Sequence, residues 1–260
     1  MVRTLLIRGM LVGVFAGLLV FGFSKVFGEP QVDRAIAFET AMDEAKAKQR
    51  AAANLPAQEP EPELVSREAQ ASYGLFTGVM VYSAAFGGLF ALVFAFANGR
   101  AGNFSPRAVS ALLAAGGFVA IYVVPNLKYP SNPPSVGAPE TIGYRTALYF
   151  IMMLISLSAM VAAVILRRRL VSRLDEWSAT LTAAACYIVV VSAAQILLPA
   201  INEVPDEFPA VVLWKFRIAS LGMQFIMWAA IGLLFGWLTE RAEAGRLGVS
   251  GGRLLRNAAR

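Results

Sequence analysis

Two groups of carboxylates stand in the sequence where long apolar runs end. One follows the first run and the other follows the fifth, and together they comprise Glu29, Asp33, Glu39, Glu203, Asp206 and Glu207. Glu29 and Asp33 are four residues apart, so on a helix they would face the same way. Carboxylate oxygens suit hard or borderline cations, and a ring of them raises the local cation concentration. The pattern therefore predicts a cation site with Glu29, Asp33 and Glu203 as candidate ligands.

Arginines stand near these carboxylates in the sequence, and they allow more than one interpretation. We expect Arg34 to act as a counter-charge, because a site through which ions pass must also release them. One alternative is that the acidic loops are solvated and only neutralised by basic neighbours. Another is that Glu29 and Asp33 form ion pairs with Arg145 or Arg217. Such pairs would lock the outer loops together rather than bind a cation.

Two proline-rich segments lie at the ends of the third and fifth runs. "VVPNLKYPSNPP" covers Val123–Pro134, and "LLPAINEVPDEFP" covers Leu197–Pro209. Each has a proline at the end of the run and an asparagine soon after it, which is Asn126 in the first segment. Prolines release backbone carbonyls that a cation could use. The alternative is that the prolines only end helices and turn the loops.

Several kinds of chemistry are missing from the sequence. It has no histidine, which removes imidazole acid–base chemistry, the common imidazole metal ligand and any Ser–His or Cys–His pair. No nucleotide-binding loop of the form GxxxxGK[ST] occurs. The cores of the apolar runs also lack Asp and Glu, which argues against a proton relay within the membrane. We therefore predict no enzyme, no catalytic residue and no cofactor.

The elements that must position these residues are six apolar runs, each of about 20 residues or more, enough to cross a bilayer as a helix. Of the 260 residues, 57% are hydrophobic and 15% are charged, and the mean hydropathy is +0.60. The runs do not alternate as barrel strands do, and in lipid each segment must satisfy its own backbone. We predict an all-α, polytopic membrane helix bundle forming a single integral membrane domain over residues 1–260. The expected spans lie near residues 5–27, 73–97, 108–127, 146–166, 179–201 and 218–238.

Lys and Arg are concentrated in alternate loops. The N-terminus, the second and fourth loops and the C-terminal tail hold thirteen of the 23 Lys and Arg residues, but only four of the 17 Asp and Glu residues. Cytoplasmic loops carry such an excess, so we expect both termini to be cytoplasmic. The basic clusters then indicate topology and anionic lipid rather than nucleic acid. The first run could instead be a signal peptide, but it is long and lacks an A-x-A-like cleavage site.

The longest non-membrane segment, residues 28–72, is an extracytoplasmic loop in this topology. We predict a surface helix over Val32–Asn54, because Pro30 suits a first turn and apolar residues then recur at helical spacing. The Pro/Glu-rich segment Leu55–Glu63 is predicted to be an extended linker.

Small residues recur every four positions within the runs. Gly9, Gly13 and Gly17 share one face of the first run, and Gly74 and Gly78 lead the second. Such faces let helices approach closely. Gln195 is expected to form hydrogen bonds between helices rather than to bind substrate.

Four stretches of the chain resemble the CbtA family, whose members are identified as components of a cobalt transporter. They read "FSKVFGEPQVDRAIAFE", "VSREAQASYGLFTGVMVYSAAFGGLFALVFAFANGR", "VPNLKYPSNPPSVG" with "GYRTALYF", and "NEVPDEFP" with "LWKFRIASLG". The resemblance implies a bacterial inner-membrane protein linked to cobalt uptake and cobalamin supply. It also implies a small partner subunit, CbtB, with one span and a histidine-rich end. It supplies no ligand residues, and descriptions of the family usually give five spans rather than six.

Three functions follow from these patterns. The first is a transporter subunit that moves a divalent cation, cobalt, across the membrane with its CbtB-like partner. The second is a non-transporting membrane scaffold for that partner. The third is a membrane enzyme, which the missing catalytic groups disfavour.

The arginine distribution makes a testable prediction about topology. A reporter fused after Leu238 should behave as a cytoplasmic protein, because an even number of spans returns the chain to the side of its N-terminus. Activity of a periplasm-specific reporter at that position would contradict six spans and favour five.

Overall fold

The computed structural model of the protein describes residues 2–56, 65–100, 102–134 and 136–258, with side chains up to residue 245. Within these residues the chain is all-helical without strands, and six helices are long and apolar enough to cross a membrane. The predicted fold class is therefore confirmed. The linker predicted over Leu55–Glu63 lies mostly outside the described residues. The helices are α1 (Val2–Phe23), α2 (Glu29–Ala52), α3 (Arg67–Ala97), α4 (Pro106–Lys128), α5 (Ile142–Leu170), α6 (Glu176–Leu197) and α7 (Ala210–Ala258).

Local sequence explains where several of these helices begin and end. The chain passes from α1 into α2 through a π-helical turn, Ser24–Gly28, and Pro30 lies in the first turn of α2 as predicted. Asp175 caps α6 by accepting a hydrogen bond from the backbone N–H of Ser178 at 2.9 Å. At the other end of α6, Leu198 is extended, because the residue before a proline avoids the helical region. This helix therefore ends four residues before the predicted end of the span.

The described residues form two compact units, of which the first comprises Met1–Gly22, Ala69–Gly116 and Met223–Arg260. Phe235 of α7 is buried in its core and meets two rings of α3 edge to face. The ring centroids lie 5.7 Å away for Phe90 and 5.0 Å away for Phe94. Aromatic contacts thus hold α3 and α7 together in this unit.

Helices α1 and α3 pack within this first unit with their backbones almost in contact. A Cβ added to Gly13 would overlap the carbonyl oxygen of Ser83 and lie 2.9 Å from the carbonyl carbon of the same residue. Likewise, a Cβ added to Gly87 would lie 2.9 Å from the Cα of Gly13. The predicted glycine face of α1 is therefore a helix–helix contact, whereas a Cβ added to Gly78 of α3 would meet no described residue of another segment within 4 Å.

The second unit comprises Phe23–Glu68 and Gly117–Gly222. Its main core lies between α5 and α6, where buried Met152 and Leu148 pack near Val191. The hydroxyls of Ser156 and Tyr187 add a hydrogen bond of 2.9 Å between the same two helices. Only 17% of the most apolar stretch of each of these helices is buried within the chain, against 33–39% for the other candidate spans. Helices α5 and α6 therefore leave more of their apolar surface uncovered than the other helices do.

The close approach at Gly13 predicts an asymmetry between two glycines of α1. Gly13→Leu should destabilise the protein by about 1–3 kcal/mol or more, because the added side chain forces two backbones apart. Gly22→Leu is the matched control, since no residue that the structure describes on another segment lies within 4 Å of its added Cβ. Thermal unfolding of the purified protein in detergent should separate the two variants. Equal stability would mean that the Gly13 face is not a tight contact.

Candidate functional site

The carboxylate pair after the first span lies at the start of α2. Glu29 and Asp33 occupy its first turns and share a face, as their spacing predicts. Arg67, the first residue of α3, donates one Nη2 hydrogen bond to Glu29 and another to Asp33, the latter at 2.8 Å. The side chain of Glu29 is 12% exposed, whereas that of Asp33 is 62% exposed. One carboxylate is therefore mostly enclosed and the other faces outward.

Arg67 was not among the residues predicted from the sequence. It stands 34 residues after Asp33 and beyond the Pro/Glu segment, so no helical spacing connects it with the pair. The available signal was that Arg67 is the only basic residue between Arg50 and Arg100. Its contacts tie together the two ends of the segment that joins the first two candidate spans.

Glu203, the candidate ligand after the fifth span, is held by a different set of groups. Its Oε2 accepts hydrogen bonds from the hydroxyl of Thr141 at 2.9 Å and from the backbone N–H of Ala138 at 2.8 Å, and Arg145 Nε lies 3.3 Å away. The Thr141 hydroxyl, followed by the Ala138 N–H and the charge of Arg145, lowers the pKa of Glu203 below its usual value. Glu203 is therefore held as a carboxylate.

Arg145 is positioned by a glycine. Its Nη2 donates to the carbonyl of Ala138 at 3.2 Å, and its guanidinium lies where a Cβ of Gly137 would be. Gly137 also has a φ of 113°, which residues with a side chain rarely adopt. Only glycine therefore fits both the backbone conformation and the space that Arg145 needs.

The other candidate residues contact polar neighbours rather than the carboxylate pair. Arg34 donates to the side-chain oxygen of Gln31 at 2.9 Å, and the cation beside the pair is Arg67. Arg217 donates to Asn132 at 2.8 Å. The remaining candidate, Asn126, accepts from the backbone N–H of Ser131 at 3.1 Å and so shapes the loop after α4. The arginine partners predicted for Glu29 and Asp33 are thus engaged elsewhere.

An apolar cluster connects α2 with the loops that carry the other candidate residues. Ala35 of α2 is buried against Val136 and Phe208. The ring of Phe38 meets that of Phe208 edge to face at 5.1 Å. The predicted apolar face of α2 is therefore used in its first half, while Ala45 further along is exposed. This packing fixes α2 on the loops after α4 and α6.

Backbone carbonyls near Pro125 are taken by protein groups. Pro125 has no N–H to offer the carbonyl of Ile121, four residues earlier, and the hydroxyl of Tyr149 lies 3.5 Å from that oxygen. The side chain of Gln195 donates to the carbonyl of Val124 at 2.9 Å, so Gln195 does bond between helices as predicted. These carbonyls connect α4 to α5 and α6 in this structure.

The described residues contain no group of three or more His, Cys, Asp or Glu side chains that could hold a metal ion. Glu29 and Asp33 both pair with Arg67, so two carboxylates share one guanidinium. Such an arrangement attracts cations electrostatically, and a cation that reached the pair would compete with the Arg67 guanidinium for the same oxygens.

Comparison with known proteins supplies a family for this chain. The family model for CbtA, described as a probable cobalt transporter subunit, matches residues 2–240. No curated protein and no solved structure matches the chain. The match confirms the resemblance seen in the sequence, and together with the six apolar helices it indicates a multi-pass membrane protein.

The contacts of Glu203 predict a pH-dependent contribution to stability. Because its pKa is lower in the folded protein than in the unfolded chain, the contribution is present above the unfolded pKa and is lost as pH falls through the folded pKa. Glu203→Gln should lower the apparent Tm by a few degrees at pH 7, and the difference from wild type should shrink in acid.

Glu207→Gln is the control for this measurement, because Glu207 lies in the same loop and is exposed. The readout is tryptophan fluorescence of the purified protein during heating at a series of pH values. An equal loss in both variants, or a difference that does not depend on pH, would show that the Glu203 contacts do not matter.

Proposed function

The chain belongs to the CbtA family of probable cobalt transporter subunits, and from this premise we propose that its outer rim collects Co²⁺ for passage through the membrane. The protein acts in the bacterial cytoplasmic membrane as one integral membrane domain with both termini in the cytoplasm. It works with a small CbtB-like membrane subunit. It is not an enzyme and needs no cofactor.

The observation that carries this proposal is the carboxylate pair at the start of α2. Glu29 and Asp33 stand at the end of the first span, and Asp33 is well exposed. Two carboxylates beside one guanidinium keep a net negative charge. Such a charge at the mouth of a membrane protein concentrates divalent cations there, while Arg67 limits how tightly they bind. In this proposal Glu203 adds a second anchored negative charge on the outer rim.

The missing imidazole is consistent with a division of labour between two subunits. Cobalt is a borderline ion that favours nitrogen ligands, yet the sequence has no histidine. In the proposal, this chain supplies an oxygen-lined entrance and the pathway, and the histidine-rich end of the partner supplies nitrogen ligands.

Contacts at the other ends of the spans fit helix ends that lie at a membrane interface. Arg100 lies over the ring of Phe96 at 5.1 Å, and Arg241 lies over that of Trp237 at 4.4 Å. Arg107 also forms an ion pair with Glu240 at 3.2 Å. Arginine and aromatic residues at helix ends are typical anchors at a membrane interface. The arginines belong to the basic segments that the proposal places in the cytoplasm, and the two aromatic residues stand at the ends of the spans beside them.

One observation favours the alternative function, a non-transporting scaffold for the partner. The carbonyls near Pro125, which were candidate cation ligands, contact Tyr149 and Gln195 instead. A chain whose outer half is bonded in this way could hold a partner without conducting ions. Cobalt uptake by cells that carry the chain with and without its partner distinguishes the two functions.

The roles of Glu29 and Asp33 can be tested by removing charge from each side of the ion pairs. If the pair collects cations, Glu29→Gln with Asp33→Asn should lower cobalt accumulation severalfold per molecule in the membrane. Arg67→Gln should then leave accumulation per molecule unchanged or raise it, because a competing positive charge is gone. Accumulation is measured with radioactive cobalt and normalised to membrane abundance.

The structural alternative gives a different pattern. If the pair only locks the loop through Arg67, all of these variants should lose membrane abundance, because each leaves a partner unpaired. Glu44→Gln is the control, since it removes an exposed carboxylate of the same helix. If cobalt uptake and membrane abundance are both unchanged, Glu29 and Asp33 neither collect cations nor lock the loop.

A further inference from the structure

A long groove runs between α5 and α6 within the second unit. Its volume is about 860 Å³, which lies within the range of about 300–1,000 Å³ that is usual for ligand sites. None of its lining residues is among those proposed above to collect cations. Its walls include Leu154, Ile155, Leu166, Tyr187 and Val190, with Arg169 at one end.

The walls of the groove suit a hydrocarbon chain. Ser158, Ala159 and Ala162 make its α5 side hollow, and Cys186 lies among the residues of the α6 side. The Tyr187 hydroxyl is already paired with Ser156 at 2.9 Å, so it does not require a polar ligand. The two helices are also the spans least covered by the rest of the chain. An apolar ligand would therefore cover surface that the protein leaves open.

One end of the groove is cationic. Arg169 lines it and is exposed, and no carboxylate of the described residues lies within ion-pairing distance of its guanidinium. The neighbouring Arg167 is occupied differently, since it contacts Thr180 at 2.8 Å and Glu176 at 3.8 Å. The charge of Arg169 is thus available to a ligand whose other end fills the groove.

We propose that this groove binds one anionic phospholipid, with an acyl chain along α5 and α6 and the headgroup phosphate at Arg169. Charge complementarity favours a lipid as the ligand, because an apolar groove with a cationic end matches an amphiphile with an anionic headgroup. The inference rests on the proposed orientation, which places Arg169 at the cytoplasmic leaflet, where anionic lipids attract Lys and Arg clusters. Its test does not depend on cobalt transport, so the two proposals can fail separately.

Cys186 provides the probe, because it is the only cysteine of the chain and lines the groove. The full-length protein in detergent micelles is treated with N-ethylmaleimide while phosphatidylglycerol is added, and alkylation is followed by mass spectrometry. A lipid in the groove should slow alkylation several-fold. Phosphatidylcholine at the same mole fraction should have a smaller effect, because its headgroup carries no net charge.

Two adjacent arginines supply the variant and its control. Arg169→Gln should raise the phosphatidylglycerol fraction needed for half-maximal protection several-fold, because the headgroup phosphate loses its partner at the end of the groove. Arg168→Gln, on the same helix but outside the groove lining, should behave like wild type. Native mass spectrometry should show one phosphatidylglycerol retained by wild type and lost from Arg169→Gln.

Three results would overturn the proposal. Equal protection of Cys186 by phosphatidylglycerol and phosphatidylcholine would show that the groove does not recognise an anionic headgroup. Equal effects of the two arginine substitutions would mean that charge in general, and not the groove, controls access. Protection that depends on protein concentration rather than on lipid would assign the groove to a second copy of the chain.

Discussion

A backbone amide or carbonyl without a partner costs several kcal/mol in hydrocarbon, because no water is present to bind it. The rest of this structure depends on that constraint. It makes each apolar run a helix, and it decides what happens where a helix is interrupted. Near Pro125, α4 has a π-helical turn, Phe118–Val123, and Tyr149 and Gln195 contact its carbonyls. The carbonyls at the irregular part of α4 therefore form hydrogen bonds that connect α4 to α5 and α6.

An arginine with a polar partner recurs at the proposed outer ends of the spans. Each helix that enters the membrane from the proposed outer side carries an arginine near its start: Arg67 in α3, Arg145 in α5 and Arg217 in α7. Each arginine contacts an acid or an amide from another segment of the chain. An arginine near the boundary can bury its stem and still reach polar groups in the loops. The loops are thereby fixed to the helices without carboxylates entering the membrane.

The fold was largely predictable from the sequence, whereas the contacts of the candidate site were only partly so. Runs of about 20 apolar residues define spans because length and composition suffice for that inference. The shared face of Glu29 and Asp33 follows from helical spacing. Arg67 could not be assigned to them, because loop length and composition do not say which distant residues meet. Similarly, spacing alone could not separate Gly13, which packs against α3, from Gly78, where an added Cβ would meet none of the described residues of another segment, since the spacing of glycines does not show which helix faces them.

The glycine contact between α1 and α3 bears on how the protein is made. These two candidate spans are neighbours in the chain, and the loop between them is closed by Arg67 on Glu29 and Asp33. Every group needed for this helical hairpin is present once α3 has left the ribosome. The hairpin can thus assemble during synthesis, and spans that are made later can pack against it. Contacts between neighbours in sequence form fastest, so this pair is suited to fold early.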